Sequence, residues 1–174
     1  MSARVIGIVG PSGAGKDTLM RGAAAADPRV SLVRRAITRP ADAGGEDYDA
    51  LSEAEFRESR AAGRFALDWQ AHGLCYGVPH GPFAGRVALV NLSRGVLAQA
   101  AEAFPGFAAI EITLPPGLLA QRLAARGRED ADDIAARLAR APAQSGAAEY
   151  SIDNSGPPER GVAELLSILN ELSR

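Results

Sequence analysis

Gly10-Pro11-Ser12-Gly13-Ala14-Gly15-Lys16-Asp17-Thr18 lies between two segments of opposite character. Before it, Val5-Ile6-Gly7-Ile8-Val9 is a short apolar run of the buried-strand type. After it, Leu19-Met20-Arg21-Gly22-Ala23-Ala24-Ala25-Ala26 reads as a helix. Glycines at this density let the backbone curl into a ring of N–H groups, and the following helix adds its positive end at the same spot. Such a ring binds phosphate, so strand, glycine loop, lysine and helix together read as a phosphate-binding loop, or P-loop. Residues 10–18 are the expected ATP-binding segment, with Lys16 on the transferring phosphate.

Two details sharpen that reading. Of the 19 basic side chains only Lys16 is a lysine; the remaining eighteen are arginine. Lysine is kept where a compact ammonium suits the β- and γ-phosphates. The residue after the lysine is usually Ser or Thr, whose hydroxyl ligates magnesium, but here it is Asp17, with Thr18 behind it. A carboxylate beside a triphosphate repels it unless a cation lies between them. Asp17 and Thr18 are therefore the expected metal-side residues, and Mg²⁺ the expected ion. The plainer alternative is a glycine-rich turn opening a helix, with Asp17 favourable to the dipole.

Composition narrows the partners. The chain has 174 residues, 47% hydrophobic and 23% charged, which suits one soluble domain. A net charge of −2 offers no broad basic field for nucleic acid or membrane. The single cysteine, Cys75, excludes an internal disulfide and points weakly to a reducing compartment. The apolar run near the N-terminus is too short for a signal peptide or a span, so a cytoplasmic location is expected. A homodimer is compatible with the sequence without being required by it.

Further along, Val30-Ser31-Leu32-Val33 is a second short strand, running into Arg34-Arg35-Ala36-Ile37-Thr38-Arg39-Pro40. Three arginines within six residues at a strand end read as an anion site; the alternative is a solvated charge run. Residues 41–48 are a polar loop. Ser52 and Glu55 form a capping box opening a helix to about Ala62. Phe65 to Gln70 and Leu74 to Val78 read as a hairpin through His72-Gly73. Core strands follow at Val87–Val90, Phe107–Thr113 and Tyr150–Ile152. Helices are expected at Gly95–Phe104, from Pro115-Pro116 onward, at Asp130–Arg140 and at Pro157–Leu172. Strands alternating with helices imply a parallel sheet covered on both faces. The fold class is thus α/β: a P-loop NTPase with a doubly wound parallel sheet core.

The middle of the chain resembles the guanylate kinase family. The matching pieces are Thr38-Arg39-Pro40, Gly45-Glu46-Asp47-Tyr48, Leu51-Ser52-Glu53-Ala54-Glu55-Phe56, then Phe65, Trp69, Gly73 and Tyr76-Gly77. Leu114-Pro115-Pro116 and Arg122-Leu123-Ala124-Ala125-Arg126-Gly127 match the later part. The resemblance implies one kinase domain over residues 1–174, an acceptor-binding insertion at about 34–82 and a lid at about 124–142. It also implies that Arg39, Tyr48 and Tyr76 hold the acceptor phosphate, and that Arg126 and Arg137 close from the lid as catalytic cations.

Guanine recognition does not carry over. A hydroxyl after Tyr-Gly is replaced by Val78, and an acidic turn after the central strand by Asn91-Leu92-Ser93-Arg94. These departures suggest an acceptor with negative charge at that end, met by Arg94 alone or with Arg34 or Arg35. Gly15-Lys16-Asp17-Thr18, Trp69 with His72-Gly73-Leu74, Tyr76-Gly77-Val78, Val90-Asn91-Leu92-Ser93-Arg94 and Arg126-Gly127-Arg128-Glu129 are similar to a narrower family. That family is the ribose 1,5-bisphosphate phosphokinases of bacterial phosphonate metabolism. The resemblance implies ATP as donor and a phosphosugar as acceptor, with 5-phosphoribosyl diphosphate as product. The competing expectations are a nucleoside monophosphate kinase with altered base choice and a non-catalytic guanylate-kinase-like binding module.

Overall fold

Alternation along the first strand sets the layers of the fold. The computed structural model describes residues 3–43, 45–125 and 148–173. In β1 (Arg4–Val9), Ile6 and Ile8 face one side of the sheet, and Val5 and Val9 the other. Five strands form the core sheet in the order β2, β7, β1, β8, β9, every neighbouring pair parallel. They are β2 (Val30–Leu32), β7 (Val87–Asn91), β8 (Ala108–Thr113) and β9 (Tyr150–Asp153) around β1.

Helix α1 (Lys16–Ala26) and the C-terminal α5 (Pro158–Leu172) cover one face. Leu19, Met20, Ala23, Leu165 and Leu169 bury against Ile6, Ile8, Ile110, Ile112 and Ile152. On the other face, α3 (Leu97–Ala103) joins Val5, Val9, Val90 and Leu92. This second cluster also takes in Leu67, Trp69 and Val78 from outside the core sheet. The segment expected as helix from Gly95 begins as a 3₁₀ turn, Arg94–Val96, before α3.

Between β2 and β7 the chain builds a second, four-stranded sheet of order β4, β3, β6, β5. Its strands are β3 (Arg35–Ile37), β4 (Tyr48–Ala50), β5 (Phe65–Ala71) and β6 (Leu74–Pro79). The β5–β6 hairpin turns at His72-Gly73, both with positive φ, at 52° and 74°. Helix α2 (Glu53–Ala61) begins with the reciprocal Ser52–Glu55 capping box. Two three-residue strands differ from the sequence reading: Arg35-Ala36-Ile37 is a strand inside the arginine run, and Tyr48 opens β4 where a polar loop was expected to end. Each is too short for periodicity to declare, and each exists by pairing with its neighbour.

Helix α4 (Pro116–Ala125) carries Leu119 and Leu123 into the interior. The helix expected at Asp130–Arg140, with the lid arginines Arg126 and Arg137, lies outside the described residues. No helix among the described residues is long and apolar enough to cross a membrane.

Candidate active site

The loop after β1 can take its shape only with glycine at its corners. Gly10 has φ +146°, and a Cβ there would lie 2.4 Å from the Ile112 carbonyl oxygen of β8. Gly15 has φ +92° as the residue capping α1, and a Cβ there would lie 2.5 Å from Asn154 Nδ2. Between them Gly13 and Ala14 are buried, Pro11 is partly buried and Ser12 is exposed.

Lys16 bends back over this loop. Its Nζ donates to the carbonyls of Gly10, at 2.9 Å, and Pro11, at 3.1 Å. Loss of water around the ammonium pushes its pKa down to about 8, aided by Arg35 and Arg94 and opposed by Asp17 and Glu46. A desolvated cation held this way gains most when a phosphate arrives. Asp17 is half-buried in the first turn of α1, and Thr18 beside it is exposed.

The loop is braced from behind by two side chains that motif reading did not single out. Asn154 follows β9, is buried, and donates from Nδ2 to the Ala14 carbonyl at 2.7 Å. Arg122 on α4 donates to the Asn154 carbonyl at 2.8 Å and reaches the Ala14 carbonyl at 3.4 Å. The sequence signal for Asn154 is only its place in a turn after a strand, and Arg122 stood out only as the first residue of the Arg122–Gly127 run.

The expected acceptor groups sit on the second sheet, and most are already engaged. Arg34 pairs with Asp47 at 3.2 Å and Asp49 at 2.7 Å, and is exposed. Arg35 is buried and forks onto Glu46. Its guanidinium also lies over Trp69 and Tyr76, 5.7 and 5.0 Å from the ring centres. Arg39 lies 4.4 Å over the Tyr48 ring, and the Tyr48 hydroxyl donates to the Pro40 carbonyl. Burial raises the Tyr76 pKa, with Arg35 and Arg39 opposing, so the phenol stays a hydrogen-bond donor at neutral pH. Trp69 stacks on Tyr76 at 5.1 Å and donates from Nε1 to Ser93 Oγ at 2.9 Å.

Arg94 leaves the end of β7 and meets Glu111 of β8 at 2.8 Å. Glu111 is almost wholly buried, and the approach is an ion pair without hydrogen-bond alignment, leaving Arg94 Nε and Glu111 Oε1 without a hydrogen-bond partner. A lone acid within the apolar run Ala108-Ala109-Ile110-Glu111-Ile112 was the signal that sequence reading passed over.

Lys16 therefore feels Asp17, Arg35, Glu46 and Arg94, while Tyr76 feels Arg35, Arg39 and Glu46. Asp17 on the loop side and Arg34, Glu46 and Asp47 beside the second sheet line one cavity. No group of three His, Cys, Asp or Glu side chains among the described residues could by itself hold a metal ion. A magnesium ion that travels with a nucleotide needs only one or two protein carboxylates, and Asp17 fits that requirement.

No protein-family model matches the chain. It is 50% identical over 172 residues to ribose 1,5-bisphosphate phosphokinase PhnN of Ruegeria sp. strain TM1040, covering 95% of this chain and 90% of that protein. Identity to the PhnN of Methylobacterium radiotolerans is 47% over 169 residues, covering 93% and 94%. A guanylate kinase from Anaplasma phagocytophilum superposes with a TM-score of 0.74 at 19% identity, over 98% of this chain and 86% of that one. This last likeness establishes the fold.

Proposed function

The chain belongs to the ribose 1,5-bisphosphate phosphokinase family, and on that premise we propose that it uses ATP to phosphorylate ribose 1,5-bisphosphate at its 1-phosphate. The products are 5-phosphoribosyl diphosphate and ADP. One observation carries the reading at the level of geometry. Asp17 on the phosphate-loop side and Glu46, which forks onto the Arg35 guanidinium lying over the acceptor-side Tyr76 ring, line one cavity. A donor phosphate at the loop and an acceptor phosphate at the second sheet would meet there.

The chemistry asks little beyond placement. The acceptor phosphate has a second pKa of about 6, so its oxygen is already ionised at neutral pH and needs no general base. A new O–P bond forms to the γ-phosphorus, the β,γ-bridging O–P bond breaks, and ADP leaves with that electron pair. Lys16 and the loop amides bind the donor phosphates; Arg39 and Tyr76 orient the acceptor phosphate; Arg126 and Arg137, outside the described residues, are the further cations that the family resemblance assigns to the transferring group. Asp17, with Thr18 beside it, would hold a magnesium ion, which would supply charge neutralisation at the donor phosphates. Tyr48 acts through Arg39, which it stacks against. Arg94, carried on Glu111, meets the 5-phosphate at the far end of the sugar, with residues 34–82 forming the acceptor-binding insertion.

Incubation with ATP and magnesium beside ribose 1,5-bisphosphate, ribose 1-phosphate and GMP, with product identification, tests this. Ribose 1,5-bisphosphate should be the preferred acceptor. GMP as the better acceptor would replace this reading with a nucleoside monophosphate kinase.

A further inference from the structure

Glu46 is a carboxylate beside the site to which the proposed reaction gives no task. It stands in the turn ahead of β4, and both its oxygens face Arg35: Nε donates to Oε2 at 3.1 Å, and Nη2 closes on Oε1. Arg35 is itself fixed, with its side chain 5% exposed and its guanidinium over the stacked Trp69 and Tyr76 rings. The Trp69–Ser93 hydrogen bond ties that stack to the core sheet. A carboxylate held through this relay has little freedom to move.

It nevertheless keeps capacity. An ionised carboxylate offers about four acceptor positions, and Arg35 occupies two. The Glu46 side chain remains 19% exposed and forms part of the wall of a cavity of about 180 Å³. Asp17 is on the same wall, which puts the cavity beside the phosphate loop. Arg35, the partner of Glu46, lies over the Tyr76 ring, so Glu46 borders both the phosphate loop and the acceptor groups.

An unpaired carboxylate at such a point would repel a bisphosphate. Arg35 cancels most of that field and leaves directional acceptor capacity. The groups of a phosphosugar that answer it are uncharged donors, the neighbouring 2- and 3-hydroxyls of the pentose. We propose that Glu46, held in register by Arg35, recognises the vicinal hydroxyls of the acceptor sugar and so selects the sugar rather than its phosphates. This rests on the acceptor being a ribose phosphate. An acidic side chain accepting from ribose hydroxyls is a common solution in nucleotide sites, and a site built to accept from a hydroxyl discriminates strongly against its deoxy analogue.

The test compares ribose 1,5-bisphosphate with 2-deoxyribose 1,5-bisphosphate as acceptors for the parent enzyme, Glu46→Gln and Glu46→Ala. The parent should favour the ribose compound by at least about tenfold in kcat/KM. Glu46→Ala, which also strands Arg35, should lower both rates but the ribose rate further, bringing the two within about twofold. Glu46→Gln preserves volume and one acceptor oxygen, and should give an intermediate ratio even if the alanine variant folds poorly. A ratio unchanged in both variants, or equal losses on both acceptors, overturns the inference while leaving the proposed reaction standing. A parent enzyme inactive on ribose 1,5-bisphosphate but active on GMP overturns both.

Discussion

Asn154→Ala tests whether the phosphate loop is held from behind. In the parent, the buried Ala14 carbonyl accepts from Asn154 Nδ2 at 2.7 Å and from Arg122 Nη1 only at 3.4 Å. Removing the carboxamide leaves that carbonyl with the long contact alone. It also opens space against Gly15, where Nδ2 now stands 2.5 Å from the position a Cβ would take. Stranding a buried acceptor costs about 1–3 kcal/mol. For a chain of this size each kcal/mol moves Tm by about 2–4 °C, so a loss of about 2 kcal/mol lowers Tm by about 4–8 °C. The amides of the loop lose their fixed directions at the same time, and KM for ATP should rise about tenfold, equivalent to about 1.4 kcal/mol. Asn154→Asp should be worse, because it turns a carboxylate oxygen toward the carbonyl. Thermal melting and steady-state kinetics with ATP varied are the assays. A Tm within about 1 °C of the parent, with KM for ATP unchanged, would refute the brace.

Lys16→Ala should abolish phosphoryl transfer without unfolding the protein, as read by product formation and circular dichroism. With its folded pKa pushed down to about 8 from an ordinary 10.5, Lys16 binds its proton less tightly folded than unfolded. Its contribution to stability should therefore rise from pH 8 to 10.5, and denaturant midpoints should show Lys16→Met removing that rise. Asp17→Asn should increase the magnesium needed for half-maximal rate; an unchanged titration would leave Asp17 as a helix-start residue only. Arg94→Lys keeps a charge on buried Glu111, whereas Arg94→Ala would strand it at a cost of about 3–5 kcal/mol. Arg94→Lys should lower kcat/KM for ribose 1,5-bisphosphate about tenfold and leave ribose 1-phosphate little changed, and equal losses on both would remove Arg94 from the 5-phosphate.

The legible part of this chain is the part governed by local rules. The phosphate loop announces itself because backbone shape, helix start and lysine are contiguous, and the Ser52–Glu55 box and His72-Gly73 turn are local for the same reason. Positions 35–37 and 48–50 were obscure because three residues show no period, and their strands exist through pairing with segments up to 41 residues away, as in Ala36 with Gly77. Asn154 and Ala14 are 140 residues apart in sequence, so no pattern along the chain could join them. The arginine run was legible as charge but not as partnership. Arg34 answers Asp47 and Asp49, and Arg35 answers Glu46, through two acids of an ordinary polar loop and one just beyond it.

The turn after β7 connects these pieces. In the guanylate kinases that the chain resembles, this turn is acidic; here it is Ser93-Arg94, and each residue makes one contact away from it. Ser93 accepts from Trp69, fixing the aromatic stack that carries Arg35 and, through it, Glu46. Arg94 pairs with Glu111, which lies beside Val9 at the foot of the phosphate loop. One two-residue turn therefore sets the second sheet and a buried charge pair relative to the same end of the core sheet. A neutral hydroxyl makes the first link at little desolvation cost, while the charge of Arg94 is balanced before any substrate arrives. An incoming anion then competes for an arginine that is already oriented, and repacking of this turn should change acceptor binding before it changes ATP binding.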